Sequence, residues 1–130
     1  TLDRPDLPLW EDARSLDGGS PPHLVHNCVS AYMRFHLGVG MNEISRHSLE
    51  LATLARNALE RAGFRVLTSG DEASRAAIVT FEARDAPARW EALRGRGIFL
   101  SLRRGLLRVS AYYFNHPADL DTLLAGLGKP

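Results

Sequence analysis

The sequence predicts an α+β fold: a small, mainly antiparallel sheet of about four strands with helices packed on one face. Three observations carry this expectation. From residue 43 onward, segments of helical period and segments rich in β-branched residues follow one another in the order α-β-β-α-β-β-α. Turn chemistry falls between the paired strands, at Ser69-Gly70-Asp71 and Arg103-Arg104-Gly105. The chain has 130 residues, of which 45% are hydrophobic, enough for one domain with one modest core.

Residues 1–22 read as an extended lead-in. Pro5, Pro8, Pro21 and Pro22 interrupt any helix, and Gly18-Gly19-Ser20 forms a flexible elbow. So long a segment without regular structure normally lies against something, and Leu7, Leu9 and Trp10 are apolar enough to do so. The domain proper is expected over 23–130. Residues 23–37 repeat apolar side chains at helical spacing (Leu24, Cys28, Ala31, Phe35), with Gly38 and Gly40 as the stop. Residues 43–62 form the clearest helix. Asn42 is placed as its N-cap, Ile44, Leu51, Leu54, Ala58 and Leu59 share a face, and Gly63 is placed for a C′ stop.

Strands follow at 64–68 and 77–82. Asp85 is the expected cap of the next helix, which has Pro87 in its first turn and carries Trp90 and Leu93 as far as Gly95 or Gly97. Residues 98–102 and 106–110 are the third and fourth strands. Alternation places Leu106, Arg108 and Ser110 on one face, and Leu107 and Val109 on the other. A closing helix starts after Asn115, with Pro117 in its first turn, and buries Leu120, Leu123, Leu124 and Leu127.

Composition narrows the chemistry. Formal net charge is +1, so no basic face points to nucleic acid. No apolar run approaches the ~20 residues of a membrane span, and no basic segment leads into an apolar signal core. Cys28 is the single cysteine, so no disulfide within the chain is possible; a reducing compartment, the cytoplasm, is expected. Thr1 rather than Met opens the chain, as expected of a processed chain or an excised fragment. Fifteen of the sixteen basic residues are Arg, the exception being Lys129 near the end. GC-rich coding explains such a bias, but it has a chemical consequence: no internal lysine is available for a Schiff base.

Few residues mark a site. His23 and His26 lie three apart on a helix, but without a cysteine pair or an acidic third ligand they read as surface or cap histidines, not a metal site. Cys28 sits on the apolar face and reads as a buried structural thiol; a Cys or His hydrolase would need it beside a histidine. Gly18-Gly19-Ser20-Pro21-Pro22 precedes a helix and suits either a phosphate or a plain linker. Arg108, mid-strand between Leu107 and Val109, suits a carboxylate ligand, a structural ion pair, or solvent at a sheet edge.

These residues also carry a family resemblance. The stretch GIFLSLRRGLLRVSAYYFNHPADLDTLL, from Gly97 to Leu124, resembles the C-terminal end of class V aminotransferase-fold proteins, the group of cysteine desulfurases, selenocysteine lyases and isopenicillin N epimerase-like enzymes. Gly97, Ile98, Arg108, Ser110, Asn115, Asp119 and Leu123 match the family pattern. Upstream, LDGGSPPHL is similar to the family's Gly-Thr segment, with Ser20 in place of Thr. The resemblance runs from about Asp17 onward.

The resemblance implies the small C-terminal domain of a fold-type-I enzyme that uses pyridoxal 5′-phosphate (PLP) on an amino-acid substrate, as a transaminase, lyase or epimerase. It implies that Gly19 and Ser20 meet the phosphate of a partner subunit's cofactor, that Arg108 grips the substrate carboxylate, and that Asn115 caps the last helix. It also implies a homodimer, and a large PLP-binding domain that supplies the lysine, the aspartate under the pyridine nitrogen and the stacking aromatic. The Arg103-Arg104-Gly105 loop is too short for the cysteine-bearing loop of some desulfurases. The alternative is a free-standing, non-catalytic α+β module for binding or dimerisation.

Overall fold

The computed structural model describes residues 11–16 and 18–130. Leu7, Leu9, Trp10 and the start of the Gly-Ser motif at Asp17 lie outside the described residues. Contacts divide the chain into two compact units, Thr1–Gly38 and Val39–Pro130.

The first unit holds a short 3-10 turn, Ala13–Leu16, and most of helix α1, His23–Val39. The 3-10 turn replaces part of the expected irregular lead-in. Asp12 organises it by accepting from the Arg14 backbone N–H at 3.0 Å while pairing with the Arg14 guanidinium. Helix α1 runs through Gly38 rather than stopping there. Its expected buried stripe is exposed: Leu24, Phe35 and Cys28 all face solvent. Cys28 is therefore not a buried structural thiol. Among the described residues of this unit, no second helix or sheet is present to cover the stripe. His36 is the one buried residue of α1. Its ring lies 3.8 Å from that of Tyr32, and its Nδ1–H donates to the Tyr32 carbonyl at 2.9 Å.

The second unit is the α+β body. Helix α2, Met41–Arg61, starts at Gly40, whose φ of 98° turns the chain where a side chain would be strained. Asn42 is thus inside the helix and not its cap. Gly63, at φ 93°, closes α2 as expected: its N–H reaches the Glu60 carbonyl, and Phe64 N–H reaches that of Leu59. Strands β1 (Ile78–Phe81), β2 (Ser101–Arg103) and β3 (Leu106–Ser110) form one antiparallel sheet in the order β1-β3-β2. Helix α3 (Ala86–Gly95) precedes β2, and α4 (Pro117–Leu127) ends the fold.

The sheet has three strands, not four. The expected strand at 64–68 is reduced to a single bridge, Val66 to Phe81. Thr68 stops it from propagating, because its hydroxyl, not a backbone carbonyl, accepts the Thr80 N–H at 2.8 Å. The strand expected at 98–102 begins only at Ser101, because the Trp90 indole N–H occupies the Leu100 carbonyl at 2.8 Å.

Register explains the core. Phe81, Leu107 and Leu102 stand opposite one another across the sheet, as do Val79 and Val109. Opposed residues share a face, and this face packs against Ala52, Ala55 and Leu59 of α2, Leu93 of α3, and Leu123 and Leu127 of α4. Phe64 meets Phe81 edge-to-face, with ring centroids 5.4 Å apart. Helices α3 and α4 approach closely at Gly126, where a Cβ would stand 2.6 Å from the Leu93 Cδ2 atom.

Candidate functional site

The face of the sheet turned away from this core holds the best-defined polar constellation. Arg108 lies on β3, the middle strand, directly opposite Thr80 of β1 and Ser101 of β2. The alternation expected for 106–110 is realised: Leu107 is fully buried and Arg108 half-buried on the opposite face. Edge-strand solvation is therefore ruled out for Arg108. A structural ion pair is also not found, since none of the ion pairs among the described residues includes it. Glu82, immediately after β1, is engaged by Arg65 at 2.9 Å. The Arg108 Nε is buried and has no hydrogen-bond partner. A buried donor without an acceptor costs about 1–3 kcal/mol; the Nε atoms of Arg56 and Arg75 share this feature, and Arg108 differs from them in having no carboxylate on its terminal nitrogens either.

Gly19 and Ser20 belong to the first unit and are exposed. A Cβ added at Gly18 or Gly19 would meet nothing within 4 Å. Nothing among the described residues demands glycine there, so the plain linker and the phosphate contact both remain open for this segment. Ser20 stands just before α1, where the His23 N–H turns back to the Pro21 carbonyl at 2.8 Å.

A cleft of about 540 Å³ lies in the second unit, bordered by Ile98, Phe99, Phe114 and Leu120. Residue patterns did not reveal it, because it forms where the irregular stretches 97–100 and 111–116 meet the start of α4. Its polar rim is committed to structure. His116, not Asn115, is the N-cap of α4: its Nδ1 accepts from the Ala118 N–H at 3.2 Å. The Asp119 carboxylate completes a capping box by accepting from the His116 N–H at 3.0 Å, and also from Asn115 Nδ2 at 3.1 Å. Those bonds, the backbone one first, hold the Asp119 carboxyl below its ordinary pKa. Asn115 caps the preceding turn instead, its Oδ1 accepting from the Tyr112 N–H at 3.0 Å. The cap thus uses His116 Nδ1 and Asp119 Oδ2 at the rim of the cleft.

The N-cap of α3 also differs from expectation. Asp85 occupies the position but adopts a left-handed φ of 51° and makes no side-chain cap bond. His23 and His26 are exposed on α1. No group of three or more His, Cys, Asp or Glu that could hold a metal is found among the described residues. No helix among them is long and apolar enough to cross a membrane. No protein-family model matches the chain, and no curated protein matches it.

Proposed function

We propose that this chain is the small C-terminal domain of a cytoplasmic, PLP-dependent class V aminotransferase-like enzyme, with Arg108 as its substrate-carboxylate grip. The observation that carries the reading is the half-buried, unpaired Arg108 with an orphaned Nε, at the centre of a sheet of the expected α+β type. Arg56 and Arg75 also have an unpartnered Nε, but their terminal nitrogens reach Glu60 and Glu72, whereas Arg108 has no carboxylate partner among the described residues. The residue order from Gly97 to Leu124 adds the family pattern.

The residues fit the cofactor in a limited way. Ser20 offers a hydroxyl and Gly19 an unobstructed backbone to a phosphate. No internal lysine exists, so covalent attachment belongs to the large domain. PLP supplies the electron sink for carbanion chemistry when bound. This chain's part is to bind and orient. Arg108 fixes the carboxylate of a 2-amino acid, which sets the direction in which its amino group and α-hydrogen point. Transamination, elimination and racemisation all share that requirement.

A second reading draws on α1. Its exposed Leu24, Val25, Val29, Met33 and Leu37 present apolar surface to solvent. This favours association with another subunit, whether in a dimeric enzyme or in a non-catalytic dimerisation module. Kinetics of the assembled enzyme separate the two. Arg108→Ala removes charge-assisted bonds worth about 1.5–3 kcal/mol, so KM for the amino acid is expected to rise about 10- to 150-fold with a smaller effect on kcat. An unchanged KM defeats the carboxylate role and leaves the association module.

A further inference from the structure

The cleft of about 540 Å³ in the second unit does not include Arg108 in its lining. Its size falls in the range of small-molecule sites, about 300–1,000 Å³. Leu51 and Leu123, both buried, line its inner side, while Phe99 and Phe114, 80% and 71% exposed, stand at its mouth. The segment that carries Phe114 is fixed by three hydrogen bonds. Asn115 N–H donates to the Tyr112 carbonyl at 3.0 Å, Asn115 Oδ1 accepts from the Tyr112 N–H at 3.0 Å, and His47 Nε2 of α2 donates to the Asn115 carbonyl at 3.1 Å. This wall is set before any ligand arrives, which lowers the cost of binding.

The charge of the lining selects among ligands. The chain is rich in arginine, yet no Arg or Lys among the described residues borders the cleft, and Asp119 is the one acidic residue that does. The helix cap leaves Asp119 with spare capacity: both cap bonds go to Oδ2, and Oδ1 has no partner among the described residues. The same bonds favour the ionised carboxyl. His116 does not offset that charge, because an Nδ1 that accepts from the Ala118 N–H belongs to a neutral imidazole. The faces of Phe rings also attract cations. An anion in this cleft meets no counter-charge.

We infer that this cleft is a binding site for a small hydrophobic amine, whose apolar body lies against Phe99 and Phe114 and whose ammonium group pairs with Asp119. A 2-amino acid fits it poorly, since its carboxylate would stand near Asp119 with no cation to meet it. The site is therefore independent of the carboxylate role of Arg108, and each stands or falls without the other.

The test is an NMR titration of the purified chain, following the backbone amides. The probe is 2-phenylethylammonium, with neutral 2-phenylethanol and anionic 3-phenylpropionate as its counterparts. The amides of 97–100 and 111–116 are expected to move with the ammonium probe, and affinity is expected to fall from ammonium to alcohol to propionate. Asp119→Asn keeps an oxygen for the His116 N–H. It is expected to weaken the ammonium probe about 2- to 5-fold, the range of an exposed ion pair, and to leave the alcohol unchanged. Phe99→Ala, at an exposed position, should weaken both. Absence of shifts in these two segments, or equal affinity for the three probes, overturns the inference. So does an Asp119→Asn variant that binds the ammonium probe as well as wild type does, or that loses the alcohol and the ammonium probe alike.

Discussion

Replacing Arg108 by Met separates a ligand-binding arginine from a structural one. Met keeps an unbranched stem of similar reach, so the apolar contacts made by the Arg108 methylenes are largely preserved. What disappears is the guanidinium, with its buried, unpartnered Nε. A fully desolvated orphan donor costs about 1–3 kcal/mol. Arg108 is only half-buried and the rest of the guanidinium reaches solvent, so the lower end applies, about 1 kcal/mol. Arg108→Met is therefore expected to stabilise the second unit by about 1 kcal/mol, or about 4–8 °C in Tm for a unit of its size. Thermal unfolding followed by circular dichroism reads this directly. A residue retained for binding at the expense of stability behaves in this way. A fall in Tm of similar size would show that Arg108 holds the fold together, and would refute the reasoning that makes its Nε a vacancy for a ligand.

Other outcomes follow from the same structure. Phe81→Ala removes a fully buried ring that meets Phe64 edge-to-face, and urea unfolding should show a loss of about 3–5 kcal/mol. The Asp119 carboxyl is lowered by its capping bonds, so its contribution is complete above the unfolded value near pH 3.9 and is lost as the pH falls through the lower folded value. Asp119→Asn should accordingly flatten the acid limb of the stability profile below about pH 4; an unchanged limb contradicts the capping role. Cys28 is exposed, so a thiol reagent should label it in the folded monomer as fast as in urea, whereas protection at low protein concentration would place it in a core. The uncovered apolar surface of α1 should make sedimentation depend on concentration, and a monomer at high concentration would count against the association reading.

The core was legible in the sequence because period-2 and period-3.6 patterns are set by burial. Leu107 and Val109 on one face of β3, and Ile44, Leu51, Leu59, Leu123 and Leu127 on the helices, are read from spacing alone, whereas Leu54, expected on the same face of α2, is exposed. What spacing does not carry is competition for backbone groups. Thr68 ends a strand by lending its hydroxyl to Thr80, and Trp90 delays another by taking the Leu100 carbonyl. Caps fail for a similar reason. Asn42, Asp85 and Asn115 have suitable side chains, but Gly40 made the turn, Asp85 went left-handed, and His116 with Asp119 supplied a capping box that the Ser/Thr pattern does not describe.

The candidate site was half legible. Alternation put Arg108 on the face opposite the core, but only the register shows Thr80 and Ser101 beside it, because cross-strand neighbours are remote in sequence. The Cys28 expectation failed for a different cause. A helical apolar stripe states that something is to be covered, not that the same chain covers it.

The most direct measurement is the cofactor content of the native protein. Antibodies raised against this chain can recover it from the cells that make it, with whatever it is joined or bound to, and acid release followed by fluorescence quantifies pyridoxal phosphate per chain. A domain of a PLP enzyme should come away with cofactor stoichiometric with the chain, and a Ser20→Ala/Arg108→Ala form introduced into the same cells should retain less. Recovery of the chain with no pyridoxal phosphate above the control would contradict the assignment.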